Sequence, residues 1–167
     1  MIIKEFKKRL KKPLRQSTLL FLIKGDKVLL AMKKRGFGQG RFNGVGGKPE
    51  KGENIKITAK RETQEEIGVS PKKIQKVAVL DFYFPHVALK EDWNQQVLVY
   101  LCDSWDGRPC ETEEMKPKWF RKDKLPFKNM WADDPLWLPH VLKNKYVRAS
   151  FAFAEDQSVE DYTLRVN

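Results

Sequence analysis

Seven of the ten glycines in this 167-residue chain fall between Gly36 and Gly52, with Pro49 among them. Glycine and proline at that density disfavour the interiors of helices and strands, so any fold must carry a long irregular loop in its first third. Ordered loops of that length inside a compact domain are commonly functional. Before the loop, Thr18–Ile23 and Lys27–Met32 flank Lys24-Gly25-Asp26, the pattern of a β-hairpin. After it, Asn54 opens a helical texture that runs to a natural stop at Gly68. Ile74–Phe84 and Gln96–Asp103 predict strands, Trp105-Asp106-Gly107 a turn, and Lys118–Arg121 a short strand. Asp134-Pro135 predicts a helix to about Lys143, with Asp134 as N-cap and Pro135 at its first position. Tyr146–Ala154 and Val159–Val166 predict a closing pair of strands. The class is α/β or α+β, a mixed sheet with two main helices.

The length suits one domain with a single core. A hydrophobic content of 41% and 10 Phe, 5 Trp and 4 Tyr exclude a disordered chain. No apolar run approaches the roughly 18–20 residues of a membrane span, and the basic start Met1–Gln16 lacks the apolar stretch of a secretory signal. Cys102 and Cys110 form neither a disulfide scaffold nor a zinc motif, which predicts free thiols and a cytoplasmic setting. Of the net charge of +11, residues 1–16 supply seven cations against Glu5. The remaining +5 suits an anionic substrate such as a nucleotide. Residues 1–16 are read as a basic, solvated arm and 17–167 as the domain, with nucleic acid or anionic lipid as alternative partners of the arm. Ile3, Phe6, Leu10 and Leu14 recur at helical intervals and give that arm one weak apolar face, interrupted by Pro13.

On a helix of about 100° per residue with Ile55 at zero, Ala59 lies near 40°, Glu62 near −20° and Glu66 near 20°. Both glutamates continue the stripe that faces the protein, and Glu65 lies on its flank. Bare carboxylates there would repel one another and resist burial. Either the helix end is solvated and balanced by Lys56, Lys60 and Arg61, or the carboxylates hold a hard divalent cation. The framing separates the two: Gly47, five residues, Glu53, seven residues, then Arg61-Glu62-Thr63-Gln64-Glu65-Glu66-Ile67-Gly68-Val69.

That arrangement resembles the Nudix signature, G-x5-E-x7-R-E-U-x-E-E-x-G-U, with only Thr63 standing where a larger aliphatic residue is usual. The resemblance implies a mixed sheet sandwiched between helices, a Mg²⁺ cofactor with Mn²⁺ as a substitute, and hydrolysis of a nucleoside diphosphate linked to another group. It implies Glu62, Glu65, Glu66 and a loop carbonyl at Gly47 as metal ligands. Glu53 would orient a water or complete the metal shell, Arg61 would support the carboxylates, and Glu66 is the preferred general base.

Four further stretches are similar to the MutT-related oxidised purine nucleoside triphosphatases of animals: Met32–Gly44 (MKKRGFGQGRFNG), Glu113–Phe120 (EEMKPKWF), Pro126–Asp134 (PFKNMWADD) and Asp161–Arg165 (DYTLR). The likeness spans roughly residues 17–167 and implies cleavage of 8-oxo-dGTP and 2-oxo-dATP to the monophosphate and pyrophosphate by a monomer. It implies that Asn43, Asp133 and Asp134 read the base edge and that Trp131 stacks on the purine. Phe37, Phe82 and Phe84 would wall the pocket, while Thr18 and Lys33 approach the sugar and the mouth. From the residues alone, Asp134 is equally an N-cap and Trp131 equally a core aromatic. Two departures bear on selectivity: Pro85–Gln96 is longer than in those enzymes, and Phe42 replaces a more usual Trp. The rival functions are a Nudix hydrolase for dinucleotides, nucleotide sugars or methylated purine triphosphates, and a nucleic-acid-binding Nudix module.

Overall fold

Residues along β1 (Arg15–Lys24) alternate between two buried clusters, Phe21 in one and Leu20 and Leu22 in the other. A strand apolar on both faces must lie between two covering layers. The computed structural model describes residues 1–167. Its other elements are α1 (Ile2–Lys7), β2 (Lys27–Lys33), β3 (Phe42–Asn43), α2 (Ile55–Ile67), β4 (Ser70–Tyr83), β5 (Gln95–Asp106), β6 (Met115–Arg121), α3 (Asp134–Leu142), β7 (Val147–Phe153) and β8 (Val159–Val166). The strands run in the order β3-β2-β1-β5-β4-β7-β8, with β6 also paired to β2. Pairs β1/β5 and β4/β7 are parallel and the others antiparallel, so the sheet is mixed as expected. Trp137, Leu138 and Val141 of α3 close one face over Val97, Val99 and Phe151. Ala59 and Ile67 of α2 close the other over Leu98 and Tyr100. No helix is long and apolar enough to cross a membrane.

The hairpin forms as predicted around Gly25, but its ladder is short. Only Ile23↔Val28 and Lys24↔Lys27 pair; β1 then diverges and pairs with β5 from Arg15 to Leu22. The glycine-rich loop enters the gap, where Val45 bridges Leu20 and the Thr18 N–H donates to the Gly47 carbonyl at 2.9 Å.

Three expectations need correction. The first sixteen residues are not simply a solvated arm. Ile3 and Phe6 of α1 are buried against Tyr83 and Ala152, and the Ile3 N–H donates to Asp161 Oδ2 at 3.0 Å. The physical cause is the sheet end beyond α2, whose Tyr83 needs an apolar cover, while Lys4, Lys7 and Lys8 stay in water. A boundary at residue 16 also falls inside β1, which starts at Arg15. Second, α3 begins one residue early: Asp133 is the N-cap and Asp134 the first helical residue. Third, β6 begins at Met115 rather than Lys118.

Candidate active site

Asn54 starts α2 by accepting the Lys56 N–H on its side chain, and Gly68 ends it in the left-handed region at φ 74°. The helix buries Thr58, Ala59, Thr63 and Ile67. Thr63 fits a position expected to be aliphatic because its hydroxyl donates to the Ala59 carbonyl at 2.7 Å. Glu62 and Glu66 are half-buried beside this stripe, whereas Glu65 is exposed.

Arg61 organises the acids. Its Nε and Nη2 grip both oxygens of Glu53 at 2.8 and 2.9 Å, and its Nη1 reaches Glu62 at 2.9 Å and Glu65 at 3.1 Å. Thr58 donates to the same Glu53 carboxylate at 2.7 Å, which with Arg61 holds its pKa down to about 2. Glu53 thus orients Arg61 and Thr58.

Glu66 has the opposite surroundings. Its one hydrogen-bond donor is the Gly46 N–H at 3.1 Å. Burial, then the charges of Glu62 and Glu114, push its pKa up to about 8 despite that N–H. Burial also raises the pKa of Glu62. Two glycines make this approach possible. A Cβ on Gly46 would lie 1.8 Å from the Thr18 carbonyl oxygen, and one on Gly47 would lie 2.4 Å from the Glu62 carboxyl carbon.

The expected gathering of Glu62, Glu65 and Glu66 on one point is not what the structure shows. Arg61 draws Glu65 outward, and the third negative charge acting on both Glu62 and Glu66 is Glu114, just before β6. The Gly47 carbonyl already accepts from the N–H and hydroxyl of Thr18. The half-buried Glu66 carboxylate, with a single backbone donor, and the nearby Glu62 are nevertheless oxygen donors of the kind a hard divalent cation takes.

From Glu66 a cleft of about 430 Å³ runs across the α3 face of the sheet. Thr18, Lys33, Phe37, Asn43, Phe82, Phe84, Trp131, Asp133 and Asp134 all line it, as does Gly47. Glu53, Arg61, Glu62 and Glu65 lie outside its lining. At the far end Asp133 and Asp134 are only 3% and 2% exposed. Trp137 Nε1 donates to Asp133 Oδ2 at 2.7 Å, and the Trp131 N–H donates to Asp134 Oδ2 at 3.1 Å. Burial lifts the Asp133 pKa to about 6, and burial together with the Asp133 charge lifts Asp134 well above the ordinary range. Asn43 turns its carboxamide oxygen to the Gly44 N–H at 2.8 Å. The Arg41 guanidinium lies 4.0 Å from the Trp131 ring centroid and covers one of its faces. Nothing in the sequence alone singles out Ser17, Gln95, Phe153 or the cations Arg15, Arg41 and Lys48, which share the lining. Strand alternation is the signal that could have found three of them: Ser17 lies two before Leu19, Gln95 two before Val97, and Phe153 two after Phe151.

The fold, the acidic helix and the glycine loop together define a Nudix protein: the NUDIX domain model matches residues 13–141, and the chain belongs to that family. It is 41% identical over 148 residues to the oxidized purine nucleoside triphosphate hydrolase of Mus musculus, covering 89% of this chain and 92% of the relative. It is 40% identical over 147 residues to the protein of the same name in Danio rerio, covering 88% and 92%. Among solved structures it is similar to a MutT protein from Bacillus halodurans, with a TM-score of 0.78 and 27% identity over 90% of this chain and 97% of that one.

Proposed function

We propose that this protein hydrolyses oxidised purine nucleoside triphosphates of the 8-oxo-dGTP and 2-oxo-dATP type to the monophosphate and pyrophosphate. The observation that carries this reading is one continuous cleft with Asn43, Asp133 and Asp134 at one end and Glu66 at the other. The activity named for the mouse and zebrafish relatives supports it.

Burial favours the protonated form of both aspartates, and a proton shared by the pair offers a donor and acceptors to a purine edge. The Asn43 carboxamide adds to that pattern, and Trp131 supplies a flat surface for the base with Phe37, Phe82 and Phe84 around it. Thr18 and Lys33 stand along the route to Glu66, where Lys33 and Lys48 suit a polyphosphate. Glu62, Glu65, Glu66 and the Gly47 carbonyl would hold a divalent cation such as Mg²⁺, with Mn²⁺ as a substitute. Such a cation, when bound, neutralises phosphate charge and lowers the pKa of a water. Glu66 is placed to accept the proton of the attacking water, and Arg61, locked by Glu53, keeps Glu62 directed inward. Each chain carries the whole cleft, so a monomer suffices, and two free thiols suit a cytoplasmic enzyme.

The test is incubation with Mg²⁺ and a panel of normal and oxidised purine triphosphates, dinucleotides and nucleotide sugars, followed by product separation. Monophosphate and pyrophosphate from 8-oxo-dGTP and 2-oxo-dATP, formed faster than from dGTP, is the expected result. Preference for a dinucleotide or nucleotide sugar would overturn it.

A further inference from the structure

The chain ahead of β1 and the segment between β4 and β5 meet each other. Leu10, Pro13 and Leu14 line a small surface cavity together with Leu89, Asp92 and Asn94. Arg15 Nε donates to the Asp92 carbonyl at 2.6 Å, and Lys12 Nζ lies 3.5 Å from Asp92 Oδ2. Asp92 holds a left-handed backbone, φ 54° and ψ 47°, a conformation aspartate tolerates better than most side chains. Two residues on, buried Asn94 accepts the Phe84 N–H on Oδ1 at 2.8 Å.

Between these two anchors Trp93 is turned onto the rim of the cleft. Its ring centroid lies 5.1 Å from that of Phe37 and 5.6 Å from that of Phe84, both edge-on. Phe37 is 52% exposed and belongs to a loop in which Gly36, Gly38 and Gly40 all have positive φ. No strand or helix holds that loop residue; its ring rests between Trp93 and Trp131, 5.1 Å from each.

We infer that Trp93 is a positioning residue for Phe37, held in place by the stretch Leu10–Arg15 that follows the N-terminal helix, and that this unit sets the selectivity of the cleft mouth. The inference rests on the function proposed above and adds to it the residues that shape the entrance. Truncating Trp93 leaves Phe37 with one aromatic neighbour instead of two, which loosens the rim without touching Glu66 or the aspartates.

The test compares wild type, Trp93→Ala, Trp93→Phe, Leu14→Ala and the Trp93→Ala/Leu14→Ala double variant on 8-oxo-dGTP and dGTP. An aromatic contact of this kind corresponds to a change of about 2- to 10-fold. Trp93→Ala is expected to raise KM for 8-oxo-dGTP by that factor with kcat nearly unchanged and to lower the 8-oxo-dGTP/dGTP ratio. Trp93→Phe should recover most of the loss. Leu14→Ala, which loosens the support of Asp92 and Asn94 on either side of Trp93, should raise KM less, and should add nothing in the Trp93→Ala background, since it acts only through Trp93. Thermal melting of each variant separates an altered rim from an unfolded chain, and Trp93→Phe serves if the alanine variant melts early. An active wild type with KM and ratio unmoved by Trp93→Ala overturns this inference alone. Independent, additive effects of Leu14 and Trp93 overturn the role of the Leu10–Arg15 stretch. A wild type that cleaves neither oxidised nucleotide overturns the proposed function itself.

Discussion

The two ends of the cleft both keep acids out of water, yet by different means. At the α2 end Glu66 has a single backbone donor and acidic neighbours, and the nearby Glu62 leans on Arg61. At the α3 end Asp133 and Asp134 are sealed, each tied to a tryptophan N–H, and they share their burden through retained protons. The first arrangement is open to an incoming cation and suits charge chemistry. The second is closed and suits the reading of hydrogen-bond patterns. Burial alone therefore does not define a role; the available donors do.

The largest break in this comparison is expected from Glu66→Gln. Removing the charge while keeping the shape should lower kcat by at least ~100-fold, measured as pyrophosphate release, while the melting temperature of the metal-free protein at neutral pH rises because the cost of burying an ionisable carboxyl is removed. Retained activity would remove Glu66 from the chemistry. Next is Gly46→Ala, whose methyl would meet the Thr18 carbonyl. A cost of about 3 kcal/mol or more is expected, read from denaturant unfolding; a neutral result would mean that the loop can leave β1 freely.

At the sealed end, Asp133→Asn fixes a donor where an acceptor stands. Such a mismatch costs about 1–3 kcal/mol, so kcat/KM for 8-oxo-dGTP should fall at least ~10-fold and its ratio to 2-oxo-dATP should move, with the Mg²⁺ dependence unchanged. An unmoved ratio in both Asp133→Asn and Asp134→Asn would exclude the pair from base reading. The same pair sets a pH signature. Folding raises both pKa values, so the native state binds more protons than the unfolded chain. Their contribution to stability is full below the ordinary aspartate value of 3.8 and is lost as pH rises through about 6 for Asp133 and higher for Asp134. Unfolding midpoints between pH 5 and 8 should fall less steeply in Asp134→Asn than in wild type. The smallest effect is expected from Thr63→Val, about 1 kcal/mol or less, because the lost hydroxyl bonds only within its own helix.

The sequence is most legible where chemistry dictates residue type at fixed spacing. Glu53, Arg61, Glu62 and Glu66 are local to one helix and its approach, so their pattern can be read without the fold. The cleft residues are legible through family resemblance, and all nine line one cavity. What escapes are partnerships between distant segments. The burial of Ile3 and Phe6 depends on Tyr83 and Ala152, and the Ile3 N–H depends on Asp161. Glu114 acts on Glu62 and Glu66 only because β6 pairs with β2, which pairs with the end of β1. The start of α3 is misplaced by one residue because Asp134 bonds backward to Trp131 instead of capping the helix forward.

The splitting of β1 between two ladders has a kinetic consequence. Its pairing with β5 joins residues 80 positions apart in the chain, and contacts of such long sequence separation form late because loop closure must come first. The glycine loop can settle against Thr18 and Leu20 only once that central ladder exists. Recovery of catalysis during refolding should then coincide with the slowest structural phase and not with helix formation, which makes the enzyme's own turnover a clock for the closing of its sheet.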